Sequence, residues 1–255
     1  MVDFLRGFLH NKTINDLVFC GGKYADTPPS GFWDFDAFLP AKMSDIGQKG
    51  KTIWFCFENS KSEKFYMVQH IIAECKWTKK YSDSCKWFIE ASKNTTIWFD
   101  EVRSYSELYF TRNKTVVDRI LDTLGIDILD TTFVLPVFRE LVARFGRRNI
   151  TSFLMDQALL AGCGNILKSE ILWYANISPM RKIETLSDEE VELLYEGIIV
   201  VSRIFYNREG FKMVDESPSF DKYNPQDLQI YGKESAKQTV TTDGRLTYWD
   251  PCKQT

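Results

Sequence analysis

The sequence contains no Cys-x-x-Cys pair, no long apolar run, no internal repeat and no low-complexity tract. Its six cysteines, Cys20, Cys56, Cys75, Cys85, Cys163 and Cys252, are scattered. Without paired spacing they suggest neither a disulfide framework nor a zinc site, and packed, reduced thiols are the expectation. No apolar stretch reaches the roughly 18 residues that cross a bilayer, and Met1-Val2-Asp3-Phe4-Leu5-Arg6 has no signal-peptide pattern. A cytoplasmic or nuclear location with no membrane partner is expected. A basic excess is missing too: 32 Lys and Arg against 35 Asp and Glu leave a formal charge of −3. That disfavours a nucleic-acid partner unless a local basic face overcomes it.

What is present is ample core material: 44% hydrophobic and 15% aromatic residues in 255 can fill one large or two ordinary domains. The hydrophobic period changes midway. A helical pattern at 4–10 leads into strands expected at 14–24, 51–58, 64–70, 87–91 and 95–100, separated by polar and Pro/Gly-rich loops. Helices are then expected at 115–124, 135–145, 150–161, 165–175 and 187–206, the last opening on the Ser-x-x-Glu capping box Ser187-Asp188-Glu189-Glu190. A polar stretch follows Gly210, and Asp243-Gly244 marks the turn of a terminal hairpin. The pattern predicts an α+β fold with an antiparallel β domain, a helical domain and a hairpin segment, bounded at 1–127, 128–210 and 211–255.

The stretch Gly162-Cys163-Gly164-Asn165 joins two of the expected helices. Two glycines permit a tight turn and close approach of another backbone, and Asn165 is expected to open the second helix as its N-cap. A helix N-terminus beside such a turn suits a phosphate, although the same residues also make an ordinary helix connection. The whole stretch from Gly162 to Pro179 resembles the helix-two-turns-helix signature of the formamidopyrimidine-DNA glycosylase/endonuclease VIII family, base-excision enzymes that remove oxidised bases from DNA. The resemblance implies that Gly162, Gly164 and Asn165 hold a DNA phosphate.

Further motifs extend the resemblance over nearly the whole chain. Gly47-Gln48-Lys49-Gly50-Lys51 places Lys51 where the family has a lysine that touches phosphate and helps β-elimination. Glu101-Val102-Arg103-Ser104-Tyr105-Ser106 resembles the loop Asp-Pro-Arg-Arg-Phe-Gly, so Arg103 and Tyr105 are expected to fill the gap left by the extruded base. In His70-Ile71-Ile72-Ala73 the family's His is kept as a DNA contact, while the Met that follows His-Leu-Gly is absent. The segments 229–233 and 244–251 resemble those that enter and close the family's zinc-finger hairpin, which puts Arg245 at the tip as a phosphate grip and aid to elimination. With only Cys252 there, the four or so ligands of structural zinc are lacking. The implied form is a zincless finger packed by Tyr248 and Trp249, with no metal and no cofactor.

Arg147, Arg148, Lys168, Arg181 and Lys182 could join Lys51 and Arg245 in a local basic face. The front departs from the family pattern: the match begins roughly nine residues in, and at about 1.5 Å per helical residue that carries the terminus away from the cleft. Val2 and Asp3 are an amine and a carboxylate of the right kinds, but the family's nucleophile and Glu are missing, so the enzyme reading goes with a recorded start that lies downstream of the true one. The resemblance thus implies a monomeric DNA glycosylase with AP lyase activity, holding damaged double-stranded DNA in a cleft between its domains. The alternative is a DNA-binding remnant without catalysis. Lesion preference is not carried over, because the loop 211–227 is unlike its relatives.

Overall fold

Helix α1 (Val2–Leu9) opens the first unit, residues 1–123, and buries Leu5 and Leu9, which lie four apart on one face. Strand β1 (Thr13–Phe19) follows. It stops short of the expected Tyr24 because Gly22 takes φ +71° and starts a short 3-10 turn, Gly22–Tyr24. A β-carbon at Gly22 would stand 2.4 Å from the Ser104 hydroxyl, so the residue is held to glycine by contact as well as by backbone angle. Helix α2 (Phe32–Asp36) and strand β2 (Ala41–Lys49) come next. The unit continues through β3 (Thr52–Glu58), β4 (Lys64–His70), β5 (Lys76–Thr78), β6 (Cys85–Ala91), β7 (Thr95–Asp100) and β8 (Glu107–Thr111) to helix α3 (Lys114–Asp122).

Among the described residues these strands form one eight-stranded antiparallel sheet, ordered β5-β7-β6-β1-β2-β3-β4-β8. The sheet folds over on itself. Trp77 of β5, at one edge, packs its ring 5.9 Å from that of Phe55 on β3 and donates its indole N–H to Gln69 of β4 at 3.1 Å. The sandwich that results encloses a core rich in aromatic rings, including Phe35 against Phe57 at 4.7 Å and Trp87 stacked on Phe99 at 4.2 Å.

The computed structural model describes residues 1–72, 74–208 and 227–255. Of the polar loop expected at 211–227 only Asp227 falls within them, and Ala73 of the run beginning at His70 falls outside. The second unit, residues 124–255, holds β9 (Ile126–Asp127), α4 (Leu135–Phe145), α5 (Ile150–Met155), β10 (Leu160–Ala161), α6 (Asn165–Tyr174) and α7 (Asp188–Arg208). A hairpin of β11 (Lys237–Val240) and β12 (Leu246–Trp249) follows. The capping box ahead of α7 forms reciprocally: Glu190 N–H reaches the Ser187 hydroxyl at 3.3 Å, and Ser187 N–H reaches the Glu190 carboxylate at 2.8 Å. Ile171, Leu172, Leu194, Ile198 and Val201, all buried, join α6 and α7 to this unit's core. No helix among the described residues is long and apolar enough to cross a membrane.

Candidate nucleic-acid interface

Helix α5 ends at Met155, six residues before the expected limit, because Asp156 turns to an extended ψ of 106° and caps the Ala158 N–H with its carboxylate at 2.9 Å. Gln157 then staples the turn. Its amide donates to the carbonyls of Cys163 at 2.8 Å and Met155 at 3.1 Å, and its side-chain oxygen accepts from Gly162 N–H at 3.0 Å. Gly162 takes φ +108°, which a side chain rarely allows. The N-cap of α6 is Gly164 rather than Asn165, a correction to the sequence reading, and no side chain caps this helix start. The first-turn N–H groups of an α-helix have no intrahelical partner, so this start is suited to an anion.

Released from capping, Asn165 donates its side-chain amide to the Leu246 carbonyl at 3.0 Å and ties α6 to the hairpin. The hairpin turn is closed by Gly244, at φ +73°, whose N–H reaches the Thr241 carbonyl at 2.8 Å. Exposed Arg245 lies next, between two anchored neighbours: Leu246 on Asn165, and Asp243 on Lys168. The Lys168 ammonium is wholly buried, 2.6 Å from the Asp243 carboxylate. Burial pushes the Lys168 pKa down and the Asp243 contact opposes this. For Asp243, burial favours the neutral acid, but hydrogen bonds from Lys168 and Thr241 outweigh it and hold the pKa below the usual value. Glu170, also buried, accepts the backbone N–H groups of Gln229, Ile230 and Tyr231 at 2.9, 3.0 and 2.8 Å. The hairpin packs Trp249, whose indole N–H meets Thr239 at 3.0 Å, and Tyr248, whose ring lies 4.7 Å from that of Tyr231. No group of three or more His, Cys, Asp or Glu among the described residues could hold a metal ion.

In the first unit, Glu101 is almost fully buried, and its carboxylate accepts the Ser106 N–H at 3.1 Å and the Ser106 hydroxyl at 2.8 Å. That clamp closes the base of a loop whose exposed residues are Val102, Arg103 and Tyr105, with Ser104 at φ +53°. Lys23 braces it by donating to the Tyr105 carbonyl at 3.3 Å. Lys51 follows Gly50, at φ +54°, in the turn from β2 to β3, and its carbonyl accepts from Ile71 N–H at 2.8 Å. The next residue, Thr52, meets His70 Nδ1 at 3.0 Å. The His70 pKa is pushed down, first by burial and also by Lys51, with Glu107 opposing, so the ring is neutral at pH 7. His70, Thr52, Lys23, Tyr24, Glu107 and Tyr109 border a cavity of about 530 Å³.

Residues 124–205 match the family model described as the formamidopyrimidine-DNA glycosylase H2TH domain. Over this stretch the chain is similar to the formamidopyrimidine-DNA glycosylases. An endonuclease 8 of Pectobacterium carotovorum subsp. carotovorum is 37% identical over 99 residues, covering 38% of this chain and 37% of that one. A formamidopyrimidine-DNA glycosylase of Streptococcus agalactiae is 28% identical over 213 residues, 78% of this chain and 74% of that one. The chain therefore spans little more than a third of the first relative's length and about three quarters of the second's. Two solved structures share the fold: the LlFpg protein in complex with a THF-DNA and an inhibitor (TM-score 0.77, 20% identity, 100% of this chain and 96% of that one), and the Lactococcus lactis Fpg with an abasic site containing DNA (TM-score 0.76, 20% identity, 99% and 96%).

Within this family fold the second unit gathers Gly164, Asn165, Lys168 and Arg245, and the first unit gathers Lys51 with His70 and holds Arg103 and Tyr105 on one loop. The expected basic face is thinner than its charges suggested. Lys168 is turned inward to Asp243, so its role as a contact is corrected to an internal one; Arg148 pairs with Asp156, Arg181 with Glu190 and Lys182 with Glu184. Arg147 is exposed and borders a separate cavity of about 680 Å³ at the end of α4. Gln157 and Glu170 escaped the sequence reading, and Asp243 was read there as a turn residue without its Lys168 partner. The Asp156-Gln157 pair, a turn-forming combination in the middle of an expected helix, was the one signal available for the first of them.

Proposed function

We propose that the protein is a DNA glycosylase of base-excision repair, acting on oxidised bases in double-stranded DNA and cutting the resulting abasic site by β-elimination. The observation that supports the reading is the joining of the uncapped α6 start, which suits an anion, to the hairpin strand that follows Arg245, through Asn165 and the Leu246 carbonyl. Asn165 and Arg245 hold backbone phosphates, and Arg103 and Tyr105 fill the space of the extruded base, whose removal from the stack costs a few kcal/mol. Lys51 supplies charge next to the sugar and assists elimination, and His70 positions a phosphate as a neutral hydrogen-bond partner. The protein works as a monomer with a hairpin of the zincless kind.

A second reading is duplex binding without chemistry: Val2 and Asp3 lie in the first turn of α1, with Leu5 of the same helix buried in the core. A Schiff base needs a free amine within attack distance of the sugar. Borohydride trapping on duplexes with an oxidised base or an abasic site separates the two. A covalent product with strand cleavage supports the glycosylase and lyase; binding without trapping or base release leaves the second reading; and no preference for damaged duplex removes both.

A further inference from the structure

We propose that Lys168 and Asp243 are positioning residues for the phosphate grip, setting Arg245 relative to Asn165 while Lys168 itself touches no DNA. The inference rests on the function proposed above and adds to it the means by which the hairpin tip is aimed.

The pair is placed where stability alone gives little reason for it. Lys168 stands in the first turn of α6, at the positive end of the helix dipole, and its side chain is 0% exposed, with that of Asp243 5% exposed. Taking two charges out of water roughly cancels their attraction, and apolar residues of similar size often do as well or better. What such a pair can supply is a unique register between the elements it joins, and here those elements are α6 and the hairpin turn.

From Asp243 the contacts run directly to Arg245. One carboxylate oxygen takes Lys168, and the other takes the Thr241 hydroxyl. That hydroxyl also lies 3.2 Å from the Arg245 carbonyl and 2.7 Å from the Thr247 hydroxyl, and Thr241 N–H reaches the same Arg245 carbonyl at 3.0 Å. On the far side of Arg245, the Leu246 carbonyl is held by Asn165. A closed ring results: Lys168, Asp243, Thr241, the Arg245 backbone, Leu246, Asn165, and back along α6 to Lys168. Thr242 adds a brace, its hydroxyl lying 2.9 Å from Ser152 of α5. Because the pair is neutral as a whole, the Arg245 guanidinium and the helix N-terminus are left to set the local potential.

The test measures binding of the full chain to an abasic-site duplex across a salt series, for the parent and for Asp243→Ala, Lys168→Met, Arg245→Ala, Asp243→Ala with Arg245→Ala, and Lys168→Met with Asp243→Ala. Positioning predicts that Asp243→Ala weakens binding roughly tenfold. It also predicts that the slope of log K against log salt falls by about 0.9, the share of one phosphate contact, as it does in Arg245→Ala. Adding Arg245→Ala to Asp243→Ala then changes little. Lys168→Met is the weakest binder because it bares the Asp243 carboxylate beside the phosphate, and removing Asp243 as well restores part of the loss. Tighter binding and a steeper slope in Asp243→Ala would mean that the freed ammonium reaches DNA, and would overturn the proposal. So would additive effects of Asp243→Ala and Arg245→Ala, or a loss of melting temperature with the parent's salt slope. A parent that binds no abasic duplex removes the proposed function, and this inference with it; a parent that binds and an Asp243→Ala that binds equally removes the inference alone.

Discussion

Asn165 carries two amide N–H groups, and one is used on the Leu246 carbonyl at 3.0 Å. The other is proposed to meet a phosphate, and exposed Arg245 precedes Leu246 in the chain. Asn165→Ala and Arg245→Ala should each weaken duplex binding by about 1.5 to 3 kcal/mol, the range for a hydrogen bond to a charged group. Isotherms of the two variants at fixed salt check this, and affinities equal to the parent's take both residues out of the interface. Ser106 tests a different role. Removing its hydroxyl takes one of the hydrogen bonds from the buried Glu101 carboxylate, so Ser106→Ala should cost about 1 to 3 kcal/mol of stability in urea and loosen the loop bearing Arg103 and Tyr105. At this scale the residues bearing motifs were legible, and their partners were not. Lys168 reads as a surface cation until Asp243, 75 residues on, is brought against it.

The hairpin β11–β12 holds its shape by the Thr241–Thr247 hydroxyl pair, the Trp249–Thr239 hydrogen bond and the Tyr231–Tyr248 ring contact. Chelator should therefore leave the melting temperature unchanged, and stoichiometric zinc in elemental analysis contradicts that account. Acid should act instead. The folded-state pKa of Asp243 is depressed, so its contribution is present above the ordinary carboxylate range and is lost as pH falls below that range. Trp249 fluorescence should report loosening of the hairpin on that acid limb, and Asp243→Ala should lack it. Strands 64–70 and 95–100 were legible to the residue because each is a short run rich in aromatic and β-branched residues between polar loops. Strand β2 was not: a bulge between Met43 and Asp45 shifts its register, and Gly47 lies where a β-carbon would meet the Trp54 ring at 2.0 Å. Helix α5 was overextended because the apolar run from Phe153 to Ala161 continues through a turn that only the Asp156 and Gln157 side chains define.

For the whole molecule, a formal charge of −3 gives little long-range attraction to a polyanion, and ion pairs absorb Arg148, Lys168, Arg181 and Lys182. On the proposed function a few cations, Arg103, Arg147 and Arg245 among them, carry the binding, and the salt slope should be shallow, about −3 to −4. A slope near −10 would call for a basic surface that the described ion pairs do not leave. The central claim is recognition of damaged DNA, and it is tested most directly by comparing anisotropy titrations of one duplex with and without a single abasic site at fixed salt. An abasic site has no base to unstack, which otherwise costs a few kcal/mol, so affinity for it should be greater by about tenfold or more. Equal affinity for the two duplexes would contradict the account.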